Sequence, residues 1–215
     1  MTMKIGILGS GIVGKTLAHG LFKLDYSVMI GPRDRGKLDD WAKGPGFGIK
    51  VGSFDEVAEF GDLLILCVKG EIALKLLENL PKNSIDQKTI IDTTNPIDSS
   101  RPPINGVLHY FTSHDQSLME MLQSSFPASH FVKAFNSVGS GLMVNPGLSE
   151  TLTMFICGNE TKSKDEVKSL LKELGWEICD LGKVEAARAI EPLCMLWCIP
   201  GFINNQWTHA FRLVK

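Results

Sequence analysis

The chain has 215 residues, 44% of them hydrophobic and 21% charged, with a formal net charge of -2. That supplies an ordinary globular core and excludes intrinsic disorder. A near-neutral balance with no long run of one sign argues against a general nucleic-acid or membrane-surface binder.

In chain order, "KIGILG" (4–9) predicts a short buried strand, and "GIVGKTLAHGLFKL" (11–24) a helix with Val13, Leu17, Leu21 and Leu24 at helical spacing. "YSVMIG" (26–31) predicts a second strand. The polar "PRDRGKLDDWAK" predicts a loop and short helix, and "GIKVGS" a weak third strand. "FDEVAEFG" predicts a helix with an acidic outer face. "DLLILCV" (62–68), an unbroken apolar run, predicts a strand buried on both faces. "EIALKLLENL" (71–80) predicts an amphipathic helix, and "KTIIDTTNP" (88–96) a strand stopping at Asn95-Pro96.

Residues 96–106 are rich in Pro and Ser and predict a loop. "SLMEMLQSSF" predicts a helix, "HFVKAFN" a strand, and "SVGSGLMVNPGLSE" a Gly-rich loop. "TLTMFICG" and "WEICDLG" predict strands. Between them lies a helix that Ser163 and Glu166 open as a capping box. "EAARAIEPLCMLW" predicts a helix bent or offset by its proline. Alternating strands and helices give an α/β class: a Rossmann-type doubly wound, mainly parallel sheet. A single domain is expected, with residues 1–135 as the dinucleotide-binding core and 136–215 as a small C-terminal α/β extension.

Gly9, Gly11 and Gly14 form G-x-G-x-x-G after a strand and at a helix start, the context that gives the motif weight. Gly9 permits the turn, Gly11 admits a pyrophosphate, and Gly14 lets helix and strand pack closely. The N–H groups of Ser10, Gly11, Ile12 and Val13 then face the phosphates at the positive helix end. Past the second strand, "GPRDRGKL" (31–38) offers Asp34 and three bases, Arg33, Arg35 and Lys37. An acid there selects NAD, and a base accommodates the 2′-phosphate of NADP. Arg33 and Lys37 share a face if a helix begins there, and Asp34 then serves as its cap. This favours NADP(H).

Several segments read together carry a resemblance: "KIGILGSGIVGKTLAHGL", "IGPRDRGKL", "IIDTTNP", "VKAFNSVG", "EAARAIEPLCMLW" and "HAFRL". The sequence resembles the NADPH-dependent reductases of deazaflavin coenzyme F-420. That family also takes in bacterial dinucleotide-binding reductases and the cytosolic domain of membrane metalloreductases. The likeness covers nearly the whole chain, and "DTTNP" and "KAFN" are its specific segments. It implies that Ser10, Gly11, Ile12 and Val13 are phosphate-loop positions and that Arg33 and Lys37 read the 2′-phosphate. It also implies that Val68 lies beside the adenosine or nicotinamide, and that Asn95 and Ala134 line the nicotinamide side. Pro32 departs from the family's Ser or Thr; the change either removes a hydroxyl contact and weakens NADP affinity, or holds Arg33 rigidly in a Gly-Pro-Arg turn.

Ligands of such sheets bind outside the carboxyl ends of the strands. Residues 67–69, 93–95 and 135–136 are therefore expected at one crevice. Asn95 reads equally well as a turn residue before Pro96. Hydride transfer between two ring cofactors needs binding, orientation and exclusion of water more than acid–base side chains. No catalytic residue is assigned. His109, His114 and Lys133 are the candidate proton donors should the acceptor be a carbonyl or imine.

Cys194 and Cys198 read as core packing, and no metal site is expected. The five cysteines, an odd number, and an N-terminus without signal-peptide layout predict a reduced, cytoplasmic protein. No apolar run reaches the roughly eighteen residues of a membrane span. The apolar stripe "CMLWCIPGFINNQW" predicts core or subunit interface, hence a homodimer without membrane or nucleic-acid partners. The expected activity is an NADP(H)-dependent oxidoreductase passing hydride to a small-molecule acceptor, flavin-like or deazaflavin. Reduction of a small imine or carbonyl, and a non-enzymatic NADP(H) sensor, are the alternatives.

Overall fold

The computed structural model describes residues 3–214, the side chain of Arg35 excepted. Its strands are β1 (Lys4–Leu8), β2 (Ser27–Gly31), β3 (Lys50–Val51), β4 (Leu63–Leu66), β5 (Thr89–Asp92), β6 (His130–Lys133), β7 (Thr153–Gly158) and β8 (Glu177–Asp180). They form one sheet in the order β3-β2-β1-β4-β5-β6-β7-β8. The first six run parallel. Then β7 turns antiparallel to β6, and β8 runs parallel to β7. The α-helices are α1 (Ile12–Lys23), α2 (Asp39–Lys43), α3 (Phe54–Phe60), α4 (Gly70–Glu78), α5 (Leu118–Ser125), α6 (Thr161–Glu173) and α7 (Ala187–Asn204). The doubly wound α/β expectation holds.

The apolar run of β4 shows why. Leu63 and Ile65 enter the core on one face, with Leu17 and Leu21 of α1 and Val167 and Leu170 of α6. Leu64 and Leu66 enter the other, with Val57 of α3, Leu77 of α4 and Leu122 of α5. Strand alternation thus divides one hydrophobic run between two cores. Each such leucine adds about 1.5–3 kcal/mol by burial. The chain winds outward from β1 in both directions, so the switch point of the sheet lies between β1 and β4.

Three elements differ from the sequence reading. First, β5 stops at Asp92, not Asn95, because the Asp92 carboxylate turns back to accept the Thr94 N–H (2.8 Å) and hydroxyl (2.7 Å). That local turn competes with the ladder. Second, α6 begins earlier than Ser163, with Glu160 as its cap accepting the Lys162 N–H. Ser163 and Glu166 form no capping box. Both reach Thr89 of β5, at 2.8 and 2.7 Å, and clamp helix to sheet.

Third, α7 continues through Pro192 and Pro200 and ends at Asn205, whose left-handed φ of 53° stops it. With the short 3-10 turn before it, Val184–Asn204 is, among the described residues, a helical stretch long and apolar enough to cross a membrane by length and composition. This corrects the expectation that no stretch reaches that length: proline breaks the sequence pattern without ending the helix. Its inner face is packed on the protein through Ala187, Ile190, Glu191, Cys194 and Trp197. Beyond α7 the chain folds back, stacking His209 on Trp197 at 5.1 Å and giving the Phe211 carbonyl to Thr153 N–H at the start of β7.

Candidate functional site

A groove crosses the carboxyl ends of the strands at the switch point. Its middle, about 420 Å³, is lined by Gly9–Val13, Arg33, Lys37, Phe54, Val68, Lys69 and Ile72. On one side it opens into a hollow of about 430 Å³ walled by Arg33, Phe54, Ile72, Lys75 and Leu76. On the other it continues into about 230 Å³ between Val13, Val68, Lys69, Thr93, Asn95 and Ile97. The three hollows lie side by side along the groove, sharing Arg33, Phe54 and Ile72 at one join and Val13, Val68 and Lys69 at the other.

The glycine motif separates into the three roles its spacing implies. Gly9 has φ 127°, and a Cβ there would lie 2.2 Å from the Cys67 carbonyl oxygen. At Gly14 a Cβ would lie 2.1 Å from the Gly9 oxygen. At Gly11 it would meet nothing within 4 Å. Two glycines are thus required by the chain's own packing, and the third keeps open a concavity at the start of α1. The residues fit a dinucleotide's diphosphate there, held by backbone N–H groups and the helix dipole.

The charged stretch is resolved in the same terms. Asp34 Oδ1 accepts the Gly36 N–H at 3.2 Å and caps the turn at Arg35–Leu38. Helical geometry starts at Arg35, so Arg33 and Lys37 do not share a helix face as the spacing suggested. The loop brings both, exposed, to the same groove wall instead. The side chain of Arg35 lies outside the described residues. Pro32 is buried.

At the far end, Val68 and Asn95 line the smallest hollow together with Thr93 and Thr94. Phe135 and Asn136 lie beneath it, buried, and not in its wall. Asn95 Nδ2 donates to the Asn136 carbonyl (2.8 Å), and Asn136 Nδ2 donates to Asn95 Oδ1 (3.2 Å) and to the Ile190 carbonyl of α7 (2.9 Å). Phe135 between them holds a left-handed φ of 62°. Such strain costs about 1–3 kcal/mol and persists only where the surroundings impose it. Here it turns the chain after β6 so that Asn136 faces Asn95. Ala134 is not brought to the groove: it is fully buried in the sheet core.

Lys133 is also withdrawn from the groove. Its side chain is fully buried, with Nζ 2.7 Å from Asp92, 2.8 Å from Glu191 and 3.0 Å from the Thr94 carbonyl. Burial depresses its pKa, but the two carboxylates outweigh that and hold it above the ordinary lysine value. This locked ammonium reaches no groove ligand and is not a proton donor. Glu191 also accepts the first N–H groups of α5, from Leu118 and Met119, each at 3.0 Å. The cluster therefore ties β5, β6, α5 and α7 together below the Asn95–Asn136 pair. Cys67, in the groove wall, is pushed up to about 12 by burial, so it is a thiol and not a nucleophile. His109 and His114 line a different pocket.

Sequence reasoning placed Lys69 at this crevice and missed Phe54 and Ile72 as groove residues. Lys69 directly precedes α4 at a strand end and was legible from that position. Phe54 and Ile72 read only as helix-face apolar residues.

A family model described as "NADP oxidoreductase coenzyme F420-dependent" matches residues 4–96, which build all but the far rim of this groove. Over those residues the chain is similar to the F420-dependent NADP oxidoreductases. An F420-dependent NADP reductase of Methanocaldococcus jannaschii is 27% identical over 205 residues, covering 90% of each chain. The crystal structure of a candidate F420-dependent NADP-reductase from Arthrobacter sp. FB24 superposes with a TM-score of 0.92 at 29% identity. That match covers 99% of this chain and 100% of the other. The Metalloreductase STEAP3 of Rattus norvegicus is 28% identical over 205 residues, 92% of this chain, and the matched part spans 38% of that relative's length. The likeness to the two F420-dependent reductases extends past the family-model match into β7, β8 and α7.

Proposed function

We propose that the chain is an NADP(H)-dependent oxidoreductase that transfers hydride between the nicotinamide and a flavin-like or deazaflavin acceptor. The observation that carries this is the open Gly11 cradle with Arg33 and Lys37 at its side. NADPH held there supplies the hydride. Gly9–Val13 bind the diphosphate through backbone N–H groups, and Phe54, Ile72 and Leu76 wall the adenine. Arg33 and Lys37 hold the 2′-phosphate with charge-assisted hydrogen bonds. Lys69, exposed at the join of two hollows, adds a cation beside the diphosphate or ribose.

Val68 and Asn95 orient the nicotinamide. The Asn95 side chain is fixed in turn by Asn136, whose anchor is the Ile190 carbonyl. Among the described residues, the lining of this hollow holds no carboxylate or imidazole, which suits a reaction that moves hydride between two rings and needs alignment and dryness. The relatives named for NADP and coenzyme F420 support this reading.

The test is a titration of NADPH and NADH, followed by a panel of deazaflavin, flavin, ferric chelate and quinone under NADPH. Tighter NADPH binding with turnover of a deazaflavin or flavin is expected. Equal affinity for the two nucleotides would remove the clamp. Binding without turnover of any acceptor would leave a nucleotide sensor.

We further infer that a second copy covers the outer face of α7. Leu196 and Ile203, seven residues apart on one face of the helix, are 54% and 59% exposed. Apolar side chains clustered in this way normally meet a partner surface.

A further inference from the structure

The smallest hollow is walled on one side by Thr93, Thr94, Asn95, Ile97 and Ser99 of the chain leaving β5. They open a connection that runs from residue 93 to 117, whereas strand-to-helix loops in such folds run about 2–6 residues. Thr94, Asn95 and Ile97 are each tied, through one further residue, to two consecutive positions of α7, Ile190 and Glu191.

The Thr94 carbonyl accepts from Lys133 Nζ, and that ammonium lies 2.8 Å from the Glu191 carboxylate, with Asp92 as its other carboxylate partner. The Asn95 side chain pairs with Asn136, which donates to the Ile190 carbonyl. Ile97 bridges to Tyr110, whose hydroxyl donates to the Glu191 carbonyl at 2.8 Å. The far end of the same connection closes on this helix too, because the Glu191 carboxylate accepts the Leu118 and Met119 N–H groups at the start of α5. Lys133, Asn136, Ile190 and Glu191 are all buried. A hydrogen bond broken there finds no water in exchange, so wall and helix keep their places together or lose them together.

We propose that α7 and the nicotinamide end of the groove are coupled: Lys133, Asn136 and Tyr110 are positioning residues that set the wall from Ile190 and Glu191, and a nicotinamide held by that wall fastens α7 in return. This rests on the nucleotide reading given above. The return effect follows from linkage: a helix position that favours the bound wall is itself favoured by the ligand, to the same degree. The diphosphate and 2′-phosphate end is built from the turn between β1 and α1 and the loop after β2, which take no part in this network. The coupling therefore belongs to the nicotinamide and not to the rest of the nucleotide.

Amide hydrogen exchange on the full chain tests it, with saturating NADP+ and with saturating 2′-phospho-ADP-ribose, the same nucleotide without its nicotinamide. Both ligands should protect the Gly9–Val13 amides. Only NADP+ should slow exchange at Leu118, Met119 and along α7, by about fivefold or more. Asn136→Ala, and the milder Tyr110→Phe, should each shrink that difference and weaken NADP+ binding, with 2′-phospho-ADP-ribose affinity as in the parent. Equal protection of α7 by both ligands or by neither, or an undiminished difference in both variants, would overturn the coupling while leaving nucleotide binding in place. No protection of Gly9–Val13 by either ligand would overturn the nucleotide reading, and the coupling with it.

Discussion

At the residue scale, the three motif glycines divide into two kinds, and the division has consequences. Gly14→Ala forces a Cβ against the Gly9 oxygen and should lower stability by about 1–3 kcal/mol in denaturant melts of the ligand-free protein. Gly11→Ala has open space and an ordinary extended backbone, so its stability should stay within about 1 kcal/mol of the parent. Its NADPH binding should nevertheless fall sharply, because the methyl occupies the diphosphate's place. A large stability loss at Gly11, or intact binding, would separate this groove from nucleotide recognition. Arg33→Ala should cost about tenfold or more in NADPH affinity and little in NADH affinity, read by fluorescence titration. These roles were legible because a tight turn, a close approach and an open cradle all need glycine at fixed spacing. Ala134 was misplaced for the converse reason: strand-end proximity does not say which face a side chain takes.

At the element scale, the buried Lys133 cluster organises the acceptor end. Replacing Lys133 with Met leaves Asp92 and Glu191 facing each other without a cation and should cost about 3–5 kcal/mol. The pH dependence has a definite sign. The folded pKa of Lys133 lies above its ordinary 10.5, so its contribution is complete below that value. It is lost only as pH rises through the higher folded value. The stability gap between parent and variant in urea melts should therefore hold constant from neutral pH to about pH 10 and narrow above it. A gap that closes toward neutral pH would mean the lysine is not held charged.

Nothing local in "HFVKAFN" announced this cluster. A lysine in an apolar strand pairs with carboxylates distant in sequence, and only the sheet order brings Asp92 and Glu191 to it. Strand and helix periods were readable throughout, while the ends of β5 and α6 were not. There the Asp92, Ser163 and Glu166 side chains chose partners that local rules do not rank. Proline signals likewise predicted a break in α7 that packing of its inner face overrides.

At the scale of the whole molecule, the sheet fixes where the groove lies, and the connection between β5 and α5 closes its end through Ile97 and Ser99. The sequence showed the first half of this plan plainly, through G-x-G-x-x-G and the alternating elements. It showed the second half only as a Pro-rich loop and an apolar stripe. If α7 pairs two copies, the parent should sediment as a dimer and a Leu196→Glu, Ile203→Glu double variant as a monomer with unchanged circular dichroism. A monomeric parent would rule the pairing out.

The central claim is direct hydride transfer from a nicotinamide held along Gly9–Asn95. It is tested most directly by anaerobic single-turnover reaction of NADPH, deuterated in turn on each face of its nicotinamide, with an oxidised deazaflavin. Deuterium from one of the two faces is expected on carbon in the reduced deazaflavin, with NADH reacting far more slowly. Absence of transfer from both, or deuterium recovered only in water, would contradict it.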